Sequence, residues 1–156
     1  MRVHICAVGR LRAGPELELI RDYLDRFSKT GRAFGLGPAQ VIEVEDKKNA
    51  GSEAEADLLM RAIPKGSLIC ALDERGRVMG SPEFSRTLGR WRDDGQQNAT
   101  FLIGGADGLS ERLRQNAQMS LSFGKMVWPH MLARVMLAEQ LYRAATIQAN
   151  MPYHRA

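Results

Sequence analysis

Three side chains of different chemistry stand together near the C-terminal end of the chain. Tyr153, His154 and Arg155 follow Pro152, which ends the helical pattern before them. A disordered terminus has no reason to carry this combination. The three side chains offer a ring for stacking, an imidazole for proton transfer and a guanidinium for a phosphate or an oxyanion, so they suit a nucleotide substrate.

Two glycine-containing segments are the other candidates for chemistry. The first is LIGGADGL at 102–109, and the second is FGKMVWPH at 123–130. Glycines let the backbone approach a ligand closely and present its N–H groups, which suits the adenine, ribose or carboxylate of a cofactor. Glycines also serve simply to turn the chain before a helix. The residues alone leave both interpretations open.

Three acidic residues near these segments have structural interpretations that we favour. Asp73 and Glu74 end a buried strand, where a carboxylate holds a ribose hydroxyl or caps a charged turn. We favour the turn. Asp107 lies within the first glycine segment, where an aspartate more often stabilises the loop than takes part in catalysis.

Basic residues at the last helix have two interpretations each. His130 begins that helix or, with Trp128 and Pro129, forms a wall of a cofactor pocket. Arg134 and Arg143 contact phosphates, or they pair with Glu139 and solvent. We favour the pairing, because it is the commoner state of a single arginine.

Cysteine and histidine usage predicts no metal site. Cys6 and Cys70 lie in the apolar runs VHICAV and SLICAL, which is typical of reduced, buried thiols. His4, His130 and His154 do not have the spacing of metal ligands, and the chain has no CxxC motif. We therefore expect a cytoplasmic protein.

Length and composition favour a soluble protein with one domain over residues 1–156. The chain is 44% hydrophobic and 26% charged, and no apolar run reaches the length of a membrane span. The opening apolar stretch is broken by His4, so it favours a strand over a signal peptide. The net charge of +4, with its excess in residues 117–156, mildly indicates a polyanionic partner.

Alternating strand and helix patterns predict an α/β fold with a mostly parallel sheet flanked by helices. The predicted strands cover 2–8, 40–44, 67–72 and 100–103, with a short fifth strand near Leu121. The predicted helices cover 16–28, 52–63, 81–94, 110–117 and 131–150. A capping box of Ser52 with Glu55 and a cap at Ser81 are expected to start the second and third helices. Both glycine segments then follow strands, at the edge where α/β sheets bind ligands.

The last helix predicts a homodimer. At roughly 100° per residue, Arg134 and Arg143 fall on opposite sides, so apolar residues occupy more than one face. Such a helix has to be buried twice. In a chain of this size we expect the second partner to be another copy of the same protein.

With these residues in place, the chain resembles the RlmH family of small SPOUT methyltransferases. The resemblance covers nearly the whole chain. It rests on VHICAVGRL (3–11), ICALDERGR (69–77), TFLIGGADGLS (100–110) and above all WPHMLARVMLAEQLYRAATIQANMPYHR (128–155). It implies an α/β fold whose C-terminal part forms a trefoil knot, and a homodimer formed across that part. General topology rules would have rejected the knot.

The resemblance also implies a reaction. The family uses S-adenosylmethionine to methylate N3 of a pseudouridine in a hairpin loop of 23S rRNA, in assembled ribosomes. The modest charge favours recognition of a ribosomal surface by shape over electrostatics alone. The alternatives are a knotted methyltransferase with another rRNA or tRNA target and a non-catalytic ribosome-binding module. A nucleotide hydrolase is disfavoured because the chain lacks the Gly-Lys-Ser/Thr phosphate signature.

The resemblance assigns residues to two sides of one site. The cofactor side comprises Leu72, Gly104, Gly105, Gly124, Lys125, Met126, Val127, Trp128 and Pro129. The substrate side comprises His130, Arg143, Tyr153, His154 and Arg155, with the tail expected to reach the cofactor pocket of the partner subunit. Among the catalytic candidates, His154 is the expected proton acceptor, Arg155 steadies the anionic base, and Tyr153 stacks or gates. Lys125 and Trp128 stand where relatives often carry aliphatic residues.

Overall fold

A computed structural model describes residues 1–155 and shows a five-stranded sheet. The strands are β1 (Arg2–Val8), β2 (Ala39–Val44), β3 (Leu68–Val78), β4 (Asn98–Ile103) and β5 (Met119–Ser122). Their order is β2-β1-β4-β3-β5, and every pairing is parallel. The predicted α/β class is therefore confirmed. Ala156, the last residue of the predicted domain, lies outside the described residues.

Five helices cover the two faces of the sheet in the described part of the chain. They are α1 (Pro15–Gly31), α2 (Ser52–Ala62), α3 (Ser81–Asp93), α4 (Glu111–Asn116) and α5 (His130–Gln148). α1, α3 and α5 pack on one face, and α2 and α4 pack on the other. All five predicted helices are confirmed. Within residues 1–155, none is both long and apolar enough to cross a membrane.

Strand residues alternate between two cores, because successive side chains of a strand point to opposite faces. Ile5 and Phe101 join the larger core beneath α1, α3 and α5, together with Phe27 of α1. Cys6 belongs to the smaller core under α2 and α4, and Cys70 belongs to the larger one. Burial raises the pKa of each thiol to about 12, so both remain protonated at neutral pH, in agreement with the predicted reduced state.

Arg134 of α5 is the bulkiest fully buried side chain of the described residues. Its Nη1 donates to Glu43 Oε2 of β2 at 2.8 Å, and its Nη2 lies 2.8 Å from the carbonyl oxygens of both Val8 and Gly9. Glu43 also accepts the Leu11 N–H at 2.7 Å. One guanidinium thus joins α5 to the carboxyl ends of β1 and β2.

The predicted surroundings of Arg134 were wrong. It neither pairs with Glu139 nor reaches solvent or a phosphate, because α5 lies between α1 and α3 with this position turned toward the sheet. The same packing buries much of α5 within one chain. The two-sided apolar surface is therefore not by itself an argument for a second copy, and the homodimer stays a prediction.

The third strand does not stop at Leu72 as predicted. β3 continues to Val78 and pairs again with β5, after a shift in register between Leu72 and Arg77. A Cβ atom on Gly76 would lie 2.7 Å from the carbonyl carbon of Ser120, so the second pairing needs a glycine there. The bulge places residues 73–76 beside the carboxyl end of the sheet.

The two predicted side-chain caps were also wrong. Ser52 and Ser81 are the first residues of α2 and α3, and the preceding residues, Gly51 and Gly80, occupy the N-cap positions without side-chain hydrogen bonds. Glycine is itself an accepted N-cap residue. The Ser81 hydroxyl instead donates to Gln140 Oε1 at 2.7 Å and joins α3 to α5.

We predict that Arg134→Met lowers the free energy of unfolding by about 3 kcal/mol. The substitution keeps a long apolar side chain but leaves the Val8 and Gly9 carbonyl groups and the Glu43 carboxylate without their donor. Urea unfolding followed by circular dichroism measures the loss.

Lys29→Met is the matched control for this loss of charge. Lys29 pairs with Asp25 at 2.8 Å, but both side chains are more than half exposed. An exposed pair of this kind contributes about 0 to 1 kcal/mol. Equal losses in the two variants would contradict the structural role given to Arg134.

Candidate active site

The carboxyl ends of β3, β4 and β5 open onto a cavity of about 680 Å³. This is within the roughly 300–1,000 Å³ range of small-molecule sites. Three segments form most of its wall: 72–75, 103–109 and 121–130. The predicted cofactor-side residues that line it are Leu72, Gly104, Gly105, Gly124, Met126, Val127, Trp128 and Pro129. Lys125 is exposed and is not among the lining residues.

The first glycine segment folds back on itself at the end of β4. The Gly108 N–H donates to the Gly105 carbonyl oxygen at 3.0 Å, and Gly108 has a φ of 74°. A Cβ atom on Gly104 would collide with the carbonyl group of Gly108, so a side chain at 104 would force the loop open. The glycines therefore do turn the chain, and the turn forms one wall of the cavity.

A hydrogen bond fixes the start of the second glycine segment, whereas the later side chains of the segment are exposed. Gly124 has a φ of 116°, and its N–H donates to the Ser122 hydroxyl at 3.0 Å. Three apolar side chains follow on the surface, with exposures of 75% for Met126, 81% for Val127 and 44% for Trp128. Exposed apolar side chains beside a cavity are a common feature of sites that bind a ligand or a partner.

Asp73 has the structural role that we favoured from the sequence. Its Oδ1 accepts hydrogen bonds from the Arg75 N–H and from Arg75 Nε, both at 2.9 Å, and Arg114 lies 3.7 Å from Oδ2. Partial burial opposes ionisation, but the hydrogen bonds and charges of these arginines outweigh it and lower the pKa of Asp73. The carboxylate thus stabilises the β3 bulge while it lines the cavity.

His130 is the first residue of α5, as predicted, and it also lines the cavity. Its Nδ1 is buried and has no hydrogen-bond partner in the described part of the chain. Burial and the positive charge of Arg134 both lower the pKa of His130. The imidazole is therefore neutral at neutral pH.

The tail after α5 packs back onto that helix. The Tyr153 hydroxyl donates to Glu139 Oε1 at 2.9 Å, and the Tyr153 ring lies 4.7 Å from the ring of Tyr142. The Arg143 guanidinium also lies over the Tyr153 ring, 4.8 Å from its centroid. Burial and the hydrogen bond to Glu139 raise the pKa of Tyr153, so its hydroxyl stays protonated.

Glu139 is the centre of the tail cluster, and we did not single it out from the sequence as a site residue. Arg143 donates to it through Nη2 at 2.6 Å and Nε at 3.1 Å, which confirms the predicted pairing. Arg143 Nη1 lies 3.3 Å from His154 Nδ1. The spacing of four residues between Glu139 and Arg143 was the available signal. Arg155 is exposed.

The cavity and the tail cluster do not meet within one chain. Arg143, Tyr153 and His154 are absent from the lining of the cavity. The structure therefore brings the two glycine segments and His130 together but leaves the tail on the other part of α5. Among residues 1–155, no group of histidine, cysteine and acidic side chains has the arrangement of a metal site.

Two solved structures have a similar fold. A probable methylase family protein from Haemophilus influenzae aligns with a TM-score of 0.53 and 12% identity, over 99% of this chain and 70% of its own. A probable methyltransferase from Bordetella pertussis aligns with a TM-score of 0.51 and 18% identity, over 92% of this chain and 96% of its own. Identities this low show a shared fold and nothing more.

Sequence comparison defines the class more closely. The model of a family described as "Predicted SPOUT methyltransferase" matches residues 1–154, so the class is that of the SPOUT methyltransferases. Relatives called "Ribosomal RNA large subunit methyltransferase H" are 68% identical in a Ruegeria species, 66% in Dinoroseobacter shibae and 64% in Ruegeria pomeroyi. Each alignment covers 99% of both chains. The chain belongs to the RlmH family of SPOUT methyltransferases, as the resemblance indicated.

We predict that acid weakens the fold through His130. The folded-state pKa lies below the ordinary value of 6.5, so the unfolded chain binds the proton more readily. The stability that this difference contributes is complete above pH 6.5 and is lost as the pH falls toward the lowered pKa. Unfolding in urea across this range measures the effect.

His130→Gln is the comparison that isolates this residue, because the amide does not titrate. The difference in unfolding free energy between the wild type and His130→Gln should shrink as the pH falls. A difference that stays constant from neutral to acidic pH would show that His130 has the same proton affinity in both states.

Proposed function

We propose that this protein uses S-adenosylmethionine to methylate N3 of a pseudouridine in a hairpin loop of 23S rRNA. The carrying observation is the cavity of about 680 Å³ at the carboxyl edge of the sheet, bounded by both glycine segments. Membership of the RlmH family and the names of the relatives support rRNA of the large subunit as the substrate. The knotted C-terminal part and a single domain in the cytoplasm belong to the same proposal.

The residues of the cavity fit S-adenosylmethionine. A Cβ atom added to Gly124 would meet nothing within 4 Å, so ligand atoms can approach the backbone there. Gly105, the segment 124–129 and the end of the first part of β3 at Leu72 would hold the cofactor by backbone groups and apolar contacts. When bound, the cofactor supplies an electrophilic methyl group on a sulfonium. Trp128 and Val127 would help to exclude water from it.

The substrate side of the proposed site comes from two copies of the chain. His130 already lies in the cavity wall, whereas Tyr153, His154 and Arg155 are remote from the cavity of their own chain. We propose a homodimer in which the tail of one subunit completes the cavity of the other. The exposed apolar side chains around the cavity mouth, Met126, Val127, Trp128, Met131 and Leu132, provide a surface for this contact.

The residues of the protein have two tasks in this reaction. They align the base with the methyl group, and they stabilise the charge that develops on the base. Methyl transfer requires the base nitrogen in line with the methyl group. Loss of the N3 proton makes the base anionic, and its charge spreads onto the flanking carbonyl oxygens. Arg155, an exposed cation in the tail, would stabilise that charge. A hairpin loop exposes its bases, so little duplex has to open.

We predict that the protein transfers labelled methyl from S-adenosylmethionine to ribosomes that lack this modification. Mapping of the labelled nucleotide should identify one pseudouridine in 23S rRNA, methylated at N3. Arg61→Ala, on α2 and exposed, serves as the control variant with retained activity. Methylation of a different rRNA or of tRNA would contradict the proposed substrate. Failure to bind the cofactor in calorimetry would favour a non-catalytic ribosome-binding module.

We also predict that two inactive variants restore activity when they are combined. Gly104→Val forces the first glycine segment away from Gly108 and so deforms the cavity of its own subunit, and His154→Ala removes a tail side chain. A mixed dimer contains one intact cavity facing one intact tail. Co-expression with two different affinity tags allows the mixed dimer to be purified and its methylation rate compared with both parents. Activity no higher than that of the parents would contradict a site shared between subunits.

A further inference from the structure

The contact with Arg143 determines which nitrogen of the His154 imidazole carries the proton. Arg143 Nη1 lies 3.3 Å from His154 Nδ1. A guanidinium has five N–H donors and no acceptor, so Nδ1 has to accept in this contact and carries no proton. The neutral imidazole then holds its single proton on Nε2, on the opposite side of the ring from Arg143.

Arg143 is itself held in one orientation by Glu139. Its Nε and Nη2 both donate to the same carboxylate, at 3.1 and 2.6 Å, which leaves Nη1 for His154. The side chains are only 25% and 17% exposed, so water competes weakly for these bonds. The hydrogen bond to Glu139 raises the pKa of Arg143, so the guanidinium remains a donor.

Tyr153 fixes the backbone next to His154. Its hydroxyl donates to Glu139, and its ring contacts both Tyr142 and the Arg143 guanidinium. The residue that precedes His154 is therefore bound to the same carboxylate that orients Arg143. The tail and its hydrogen-bonding pattern are arranged as one unit before any substrate arrives.

We propose that Glu139 and Arg143 are positioning residues that hold His154 as the Nε2–H tautomer. In this tautomer His154 acts on the substrate as a hydrogen-bond donor, to a carbonyl oxygen beside the nitrogen that receives the methyl group. This inference rests on the proposed function and refines it. It replaces the proton-acceptor role that the sequence suggested for His154, because Nδ1 is occupied and Nε2 already carries a proton.

A donor at this place assists the reaction without taking the proton. The N3 proton passes to water, and N3 keeps the electron pair that forms the new bond to the methyl carbon. The bond between that carbon and the sulfonium sulfur breaks at the same time, and its electron pair stays on sulfur, which leaves as a neutral thioether. The negative charge shared with the flanking carbonyl oxygens is then stabilised by the Nε2–H of His154 and by Arg155. Preorganised donors aimed at developing charge are among the most effective catalytic groups.

The same arrangement selects the class of base. Uracil and pseudouridine rings carry an imide N–H between two carbonyl groups, which offer acceptors to two donors. Cytosine presents an amino group in place of one carbonyl, so a donor of the protein would face a donor of the base. A site whose polar groups are left unpaired by the wrong ligand discriminates strongly against it. The tail donors therefore select uracil-type bases.

Two substitutions of His154 separate a donor from a proton acceptor. The amide of His154→Gln can place an N–H near the position of imidazole Nε2 but cannot take up a proton, whereas His154→Ala provides neither. In single-turnover methylation of ribosomes we expect His154→Gln within about 10-fold of the wild-type rate and His154→Ala lower by about 100-fold or more. The pH profiles of the wild type and His154→Gln should be parallel. Equal losses in both variants would overturn the donor role.

Nitrogen NMR of protein labelled with 15N-histidine tests the tautomer without any reaction. We expect a pyrrole-type signal for His154 Nε2 and a pyridine-type signal for Nδ1 in the neutral ring. Arg143→Met and Glu139→Ala should each convert this pattern to a tautomer mixture, because either substitution removes the donor to Nδ1 or the group that orients that donor. Signals lost in His154→Asn provide the assignment.

A pyridine-type Nε2 in the wild type would overturn the inference. The NMR result also keeps the two proposals distinguishable. Wild-type protein that methylates no ribosomal RNA would refute the proposed function, whereas the tautomer would still be decided by the NMR signals.

Discussion

The guanidinium of Arg134 connects the last helix to the first two strands, and the positions of His130 and of the tail cluster depend on where it holds that helix. Its donors satisfy the carbonyl groups at the end of β1 and the carboxylate of Glu43 on β2. A buried cation is costly without its partners, so any position of α5 that separates Arg134 from these three acceptors is disfavoured. His130 begins that helix and is thereby fixed in the cavity wall.

The helix that Arg134 anchors serves both halves of the proposed site. Its first residue lines the cavity, and its later turns carry Glu139 and Arg143, which hold the tail. One rigid element therefore sets the distance between the cofactor side and the substrate side. Because that distance keeps the two sides apart within a chain, the proposed homodimer would join them, with each α5 contributing its start to one site and its end to the other.

The sequence predicted the elements well because the patterns that specify them are local. The alternation of apolar residues in strands, their periodicity in helices and the glycines that form turns can all be recognised within short stretches of sequence. The incorrect predictions concern positions whose structure depends on residues far away in the sequence. β3 runs on to Val78 because Gly76 meets β5, which lies far along the chain, and Arg134 is buried because its acceptors lie on β1 and β2. Neither contact can be recognised from the residues that surround Gly76 or Arg134 in the sequence.

The candidate site shows the same division. The glycine segments and His130 could be placed at one edge from the strand pattern alone, because parallel strands end together. The tail could be singled out by its composition. Its hydrogen bonds could not be predicted, since they depend on how the chain turns after Gln148 and which helix face it meets. Glu139 appeared as an ordinary helical acid for that reason.

The strand order has a consequence for how the chain is made. β4 lies between β1 and β3, both of which are synthesised before it, and Arg134 finds its acceptors only where β1 and β2 already end side by side. Pairings between distant segments form slowly, because the loops that join them have to close first. During translation the early strands are therefore made before their central neighbour and their covering helix, and the sheet is complete only after β4 and β5 have been added to it.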